Sequence, residues 1–129
     1  MQLTQVRLIV EGFRACFAFY RDVLRLVPQV DDDRGPYAKF SLPRGDAAIA
    51  LHARDDIART LGDLAGGAGD RALVVLKVDD VDAVVRDVRA RGAAVVKEPS
   101  DAWGRLRVAY LRDPDGNLIE LQQWTAPAP

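Results

Sequence analysis

The pattern of apolar positions predicts two copies of one arrangement of strands and a helix. In residues 5–10, Val6, Leu8 and Val10 alternate with residues of the opposite face, which is the period of a β-strand. A helix is predicted over about residues 14–26, and the apolar side chains at helical spacing begin just before it: Phe13, Cys16, Phe17, Tyr20 and Leu24. The same pattern returns in the second half, as a strand over residues 73–78 and then an apolar helical series: Val81, Val84, Val85 and Val88. The chain is therefore predicted to contain an internal repeat.

The remaining segments complete each copy with three short strands. In the first half these are residues 29–31, 37–42 and 47–53, with a turn at residues 43–46. In the second half they are residues 94–97, 106–111 and 118–124, after a helix that ends at Gly92. We predict a first module over residues 1–54, a linker over 55–70 with a short helix in 55–65, a second module over 71–125 and a frayed tail over 126–129. Each module is small, so together they are expected to form one compact domain.

The last two strands are joined by Asp-Pro-Asp-Gly-Asn, residues 113–117, which is turn chemistry. The glycine spacing differs from that of a calcium loop, so these residues are interpreted as a hairpin turn. In the outgoing strand, alternation places Ile119 and Leu121 on one face and Glu120 with Gln122 on the other. An acid at the centre of a strand indicates either a solvent-facing surface or a polar cavity.

Composition narrows the possible partners and the compartment. The chain has 18 basic and 19 acidic residues and no basic block interleaved with aromatics, which argues against nucleic acid. No apolar run exceeds six residues, so none, including residues 72–76, is long enough to span a membrane, and the N-terminus has no secretory pattern. The single cysteine, Cys16, excludes an intrachain disulfide, lies on the buried helical stripe and suits a reducing cytoplasm. The single histidine, His52, limits any site that needs imidazole.

Three motifs resemble the vicinal oxygen chelate superfamily, which includes glyoxalase I, extradiol dioxygenases and bleomycin resistance proteins. They are the helix Phe-Tyr-Arg-Asp-Val-Leu at residues 19–24, the helix start at residues 78–83, and residues 103–104 with the hairpin at 110–121. The resemblance implies an α+β fold of two βαβββ modules, whose mixed curved sheets enclose a cavity, and it also implies a homodimer. It leaves the function open, because this fold serves several chemistries.

In the superfamily's metal enzymes, four strand positions supply the ligands, and by motif they fall here on Gln5, Ala50, Leu73 and Glu120. Ala50 and Leu73 cannot bind a metal. The alternative is a shifted divalent centre (Ni, Zn, Fe or Mn) at Gln5, His52 and Glu120, in a glyoxalase-like lyase or isomerase or a dioxygenase. His52 otherwise lies at a pocket rim or at an exposed strand end.

The leading hypothesis is a protein that sequesters an aromatic or amphipathic small molecule without a metal centre. Buried Glu120 then needs a partner, either Arg7 or the ligand. Trp103 and Trp124 either stack on the ligand or lie in the core or a subunit interface. A structural dimerisation module without a ligand is a third possibility. The predicted ligand-binding residues are Gln5, Arg7, Ala50, His52, Leu73, Trp103, Glu120, Gln122 and Trp124, with Val75 beside them.

Overall fold

In a computed structural model, the chain folds into two compact units, residues 1–67 and 68–129. The structure describes residues 1, 3–41, 48–62, 64–66, 69–70 and 72–127. Each unit contains a β-sheet with a helix packed on one of its faces, so the predicted α+β class is confirmed. The predicted turn at residues 43–46 lies outside the described residues, as do parts of the predicted linker and tail.

The first unit is built on a three-stranded sheet with the order β1-β3-β2. The strands are β1 (Val6–Val10), β2 (Tyr37–Ser41) and β3 (Ala48–Ala53). β1 runs parallel to β3, and β2 runs antiparallel to it. Helix α1 (Phe13–Ala18) continues as a π-helical turn over Phe19–Val23, and helix α2 (Arg54–Leu61) directly follows β3.

The apolar stripe of α1 forms the core of this unit. Phe17, Tyr20 and Cys16 are fully buried, and the rings of Phe17 and Tyr20 lie 5.5 and 5.9 Å from the ring of Phe40 on β2. Burial of these large side chains is the main stabilising term that holds the helix on the sheet. Because α1 packs on one face of the sheet, the side chains on the other face do not belong to this core.

The predicted strand at residues 29–31 is wrong. Only an isolated bridge pairs Pro28 with Phe40, and the amide of Gln29 donates to the carbonyl of Lys39. Asp31 instead accepts a hydrogen bond from Arg21, and Asp32 accepts from the amide and the guanidinium of Arg34. These side-chain bonds favour a turn over an extended segment.

The second unit repeats the plan with a four-stranded sheet in the order β4-β7-β6-β5. Its strands are β4 (Leu73–Lys77), β5 (Ala94–Ala102), β6 (Leu106–Arg112) and β7 (Leu118–Trp124), with helix α3 at Val81–Ala90. The carboxylate of Asp80 caps α3 by accepting from the amide of Ala83, and Gly92 follows the helix at φ 96°. Val81, Val85 and Val88 are buried, as the predicted stripe requires.

Strand β5 is longer than the predicted residues 94–97. Its register with β6 shifts twice, between Val95 and Lys97 and between Lys97 and Ser100. Pro99 lies inside the second irregularity. Proline usually ends a strand because it has no amide hydrogen for the ladder. A bulge leaves that position unpaired, so β5 continues past Pro99. Among the helices within the described residues, none is long and apolar enough to cross a membrane.

Candidate functional site

In the first unit, the sheet face opposite α1 carries the polar residues singled out in the sequence. Strand register places Arg7, Ala50 and Lys39 side by side across the sheet, and Ile9, His52 and Tyr37 form the next row. Paired residues on neighbouring strands share a face, so alternation correctly grouped Arg7, Ala50 and His52.

His52 is buried, with 8% of its surface exposed, so the expectation of an exposed strand end is wrong. Its Nε2 lies 2.8 Å from Oδ2 of Asp56, and its Nδ1 lies 3.4 Å from Nη1 of Arg7. A guanidinium only donates, so Nδ1 is the acceptor and Nε2 carries the hydrogen that is donated to Asp56. Asp56 is available because α2 begins immediately after β3 and presents its first turn to the histidine.

Gln5, Tyr37 and Arg7 form a second connected group on this face. One orientation of the Gln5 amide satisfies both neighbours: its oxygen accepts from Nε and Nη2 of Arg7 at 3.2 Å, and its nitrogen donates to the Tyr37 hydroxyl at 2.7 Å. The guanidinium carbon of Arg7 also lies 5.3 Å from the centre of the Tyr37 ring. Arg7 is thus held over the sheet by two neutral groups, the Gln5 amide and the Tyr37 ring.

In the second unit, Glu120 lies on the sheet face opposite α3 and has only 6% of its surface exposed. Its Oε2 accepts a hydrogen bond of 2.8 Å from the Tyr110 hydroxyl, and its Oε1 accepts one of 3.0 Å from Nε2 of Gln122. The hydrogen bond to Glu120, together with burial, raises the pKa of Tyr110. The ammonium of Lys97 lies 5.9 Å from the centre of the Tyr110 ring. The buried carboxylate thus obtains its hydrogen bonds inside its own unit. One comes from Gln122, which alternation placed on the same face, and the other from Tyr110, which sequence reasoning did not connect with it.

The other predicted residues of this unit differ in exposure. Trp103 is 70% exposed in the turn between β5 and β6, which excludes a place in the core. Trp124 is half-buried at the end of β7, opposite Leu106. Leu73 and Val75 are exposed on β4, at the edge of the sheet. Because Val75 pairs with Glu120, an apolar edge borders the buried acid.

The hairpin turn is held by Asp113. Its Oδ1 accepts from the amides of Asp115 and Asn117, and its Oδ2 accepts from the side-chain amide of Asn117. Asp113 is buried, and its carboxylate caps the turn. The interpretation as a turn is confirmed.

The four positions implied for a family metal do not fit a divalent ion. Ala50 and Leu73 have no donor atoms, and the oxygens of Gln5 and Glu120 already accept hydrogen bonds. The shifted alternative fits poorly in the first unit, because the guanidinium of Arg7 contacts both Gln5 and His52 and would repel a cation. Within the described part of the chain, no three His, Cys, Asp or Glu side chains are grouped to hold a metal.

Sequence reasoning missed Tyr37, Asp56 and Tyr110. A signal for Tyr110 was present, because counting outward from the hairpin turn places it opposite Glu120. Tyr37 was assigned to a strand without a role. Asp56 was assigned to a linker, and its contact depends on where α2 begins.

The chain is similar to known proteins in sequence and in fold. The chain is 36% identical over 127 residues to the uncharacterized protein YraH of Bacillus subtilis strain 168, covering 94% of this chain and 97% of that protein. A glyoxalase/bleomycin resistance protein/dioxygenase family enzyme from Burkholderia phytofirmans PsJN superposes with a TM-score of 0.81 at 23% identity, covering 96% of this chain and 99% of that one. TnmS3, an antibiotic binding protein from a Streptomyces species, superposes with a TM-score of 0.72 at 21% identity, covering 96% of each chain.

The sequence profile of one family matches residues 2–121, nearly the whole chain. Together with the relative in Bacillus subtilis and the shared fold, this match establishes that the chain belongs to the Glyoxalase/Bleomycin resistance protein/Dioxygenase superfamily.

Proposed function

We propose that this protein binds and sequesters an aromatic or amphipathic small molecule without a family-type metal centre and without converting it. The proposal rests on one observation: three polar groups, on the face opposite α1 in the first unit and on the face opposite α3 in the second, already have protein partners. Glu120, Gln5 and His52 are already engaged by protein partners, and aliphatic Ala50 and Leu73 occupy the other positions implied for a metal. Fixed polar groups beside apolar surface are the usual composition of a small-molecule site.

The faces also offer aromatic and aliphatic surface for such a ligand. Tyr37 and Ile9 are partly exposed on the first unit, and Val75, Leu73 and half-buried Trp124 lie on the polar face of the second. Aromatic rings provide large contact areas at a low cost in side-chain entropy. The antibiotic-binding role of TnmS3 supports the proposal by analogy, because the two proteins share a fold.

A thermal-shift screen of planar antibiotics and other aromatic compounds tests the proposal. Ligands that bind the native state raise the melting temperature in a concentration-dependent way. Hits are then titrated by tryptophan fluorescence in wild type and in Glu120→Gln, which keeps the shape of the side chain and removes its charge. Saturable binding of at least one compound, with no change to that compound by mass spectrometry, is the expected result.

The competing function is a metal-dependent lyase, isomerase or dioxygenase. Protein purified without chelator is analysed for metal and reconstituted with nickel, zinc, iron and manganese. We expect substoichiometric metal and no effect of these ions on ligand binding. Stoichiometric metal that is lost in Glu120→Gln would overturn the binding-only proposal.

We also propose that the protein is a cytoplasmic homodimer. The edge strands β1 and β4 carry exposed Val6, Leu73 and Val75, and apolar edge strands favour further association. The lone cysteine is buried and suits a reducing compartment. Light scattering coupled to gel filtration tests the dimer: a monomeric mass at micromolar concentration would contradict it.

A further inference from the structure

We propose that the polar face of the first unit recognises a carboxylate on the ligand, held between Arg7 and Lys39 above Ala50. This inference rests on the proposed small-molecule binding and names the chemical class of the ligand: an aromatic compound that bears a carboxylate. Both cations and the floor between them belong to the first unit, so the site is complete within residues 1–67.

Among the residues that the structure describes, no acid forms an ion pair with Arg7. Its partners are the Gln5 amide oxygen, the neutral Nδ1 of His52 and the ring of Tyr37. Most other arginines in the described chain form carboxylate ion pairs, for example Arg21 with Asp31 and Arg112 with Asp70. Arg7 differs from these arginines because neutral acceptors orient its guanidinium, and its charge favours an incoming anion.

The hydrogens that Arg7 leaves uncommitted suit a carboxylate. Each terminal nitrogen of a guanidinium carries two hydrogens, and here Nη1 uses one toward His52 while Nη2 uses one toward Gln5. One hydrogen on each nitrogen remains, and carboxylate oxygens can accept from these hydrogens. The Tyr37 hydroxyl accepts from Gln5 in this arrangement, so its own hydrogen is available as a third donor.

Lys39 and Ala50 complete the site. The three residues of the row are in register, so the Cα atoms of Arg7 and Lys39 lie about 10 Å apart, two strand spacings. Ala50 between them has 0% of its surface exposed, so neighbouring side chains already cover it, and the carboxylate is held by the charged ends of Arg7 and Lys39. Within the described residues, no carboxylate lies within ion-pair distance of Lys39.

Among the described residues, the acids near this face are Asp56 and Asp32, and each is paired with an arginine. Asp56 binds His52 and Arg59. Asp32 lines a cavity of about 240 Å³ next to Tyr37 and Lys39, and hydrogen bonds from Arg34 lower the pKa of Asp32 to about 2. The net field on the row is therefore positive, and the cavity offers space for an aromatic ring beside it.

The test compares two probes of the same shape, 2-naphthoate and the neutral 2-naphthamide, by fluorescence titration and calorimetry on the full chain. Arg7→Gln and Lys39→Gln remove one charge each. Arg14→Gln removes an equal charge from the solvent-exposed side of α1 and is the matched control, because Arg14 pairs with Asp33 at the surface. Arg7→Lys keeps the positive charge but removes the planar guanidinium with its several N–H donors. Thermal melts establish that each variant folds.

We expect wild type and Arg14→Gln to bind naphthoate about ten- to a hundredfold more tightly than naphthamide, and Arg7→Gln to lose this preference. Arg7→Lys and Lys39→Gln should retain part of it, and added salt should reduce it. Equal binding of the two probes, or a preference that survives in Arg7→Gln, would overturn the carboxylate site and leave the proposed binding function standing. Absence of naphthoate binding up to its solubility limit also overturns the carboxylate site. The proposed binding function fails only if the thermal-shift screen of aromatic compounds finds no ligand either.

Discussion

The hydroxyl of Tyr110 and the carboxylate of Glu120 are joined by a hydrogen bond of 2.8 Å across the closing hairpin. The two residues are directly paired in the ladder between β6 and β7. A buried carboxylate without donors costs several kcal/mol, so this bond and the one from Gln122 explain how an acid persists at the centre of the strand. Tyr110 is therefore as important to this face as Glu120.

Replacing Tyr110 by phenylalanine should destabilise the protein. The ring is kept, but Oε2 of buried Glu120 loses its donor, which typically costs about 1–3 kcal/mol. Urea unfolding at pH 7 measures the change. Tyr37→Phe is the control, because Tyr37 is partly exposed and water can replace its hydroxyl; we expect a loss below about 0.5 kcal/mol there. Equal losses in the two variants would contradict the role of the Tyr110–Glu120 bond.

The same bond predicts a loss of stability at alkaline pH. The Glu120 hydrogen bond and burial raise the pKa of Tyr110 in the folded state above its unfolded value of about 10. The protonated hydroxyl is then favoured by folding, so its contribution is complete below pH 10 and is lost as the pH rises through the folded pKa. The free energy of unfolding should therefore fall more steeply above pH 10 in wild type than in Tyr110→Phe. Parallel curves for the two proteins would rule this out.

Asp113 should be the most sensitive residue of the hairpin turn. Alanine there removes an acceptor from three hydrogen bonds in a buried position, and we expect a loss of about 2–4 kcal/mol. Asp113→Asn keeps one oxygen and should lose less. Asp87→Ala on the exposed side of α3 removes the same charge and should change stability by less than about 0.5 kcal/mol. If Asp113→Ala unfolds at the same urea concentration as Asp87→Ala, the carboxylate does not hold the turn.

Regular elements of the fold could be predicted because they depend on local periodicity. The apolar stripes of α1 and α3 and the closing hairpin were found from spacing alone, and alternation placed Arg7 and His52 on one face. The failed strand at residues 29–31 shows the limit. Its conformation is decided by side-chain bonds such as those of Asp32 with Arg34, which compete with the backbone ladder and have no periodic signature.

The hydrogen-bond partners of the site were harder to predict because they depend on register between elements. The sequence indicated that Glu120 needs a partner but favoured a distant arginine or a ligand, while Tyr110 satisfies it from the neighbouring strand. His52 contacts Asp56 only because α2 begins one residue after β3 ends, within a segment that resembled a linker. A shift of one residue in β6 would turn Tyr110 to the other face of the sheet, and a shift in the start of α2 would rotate Asp56 away from His52.

The two tryptophans should report different environments. Trp103 is exposed in a turn, and Trp124 is half-buried beside Leu106. In Trp124→Phe the remaining emission should be red-shifted and readily quenched by acrylamide, and in Trp103→Phe it should be blue-shifted and protected. If a ligand stacks on Trp124, its fluorescence signal survives in Trp103→Phe and disappears in Trp124→Phe. The reverse outcome would assign the ligand to the loop between β5 and β6.

Cys16 should react with thiol reagents only when the first unit opens. Its side chain is fully buried on the helical stripe with Phe17 and Tyr20, and a thiolate in that position would lack solvation. Labelling by a disulfide reagent should be slow in buffer and rapid in denaturant, with a native rate that follows the free energy of opening. Phe40→Leu, which loosens the packing of the rings against β2, should accelerate labelling, whereas Asp87→Ala in the second unit should not. Rapid labelling of folded wild type would show that α1 does not seal the core as the structure places it.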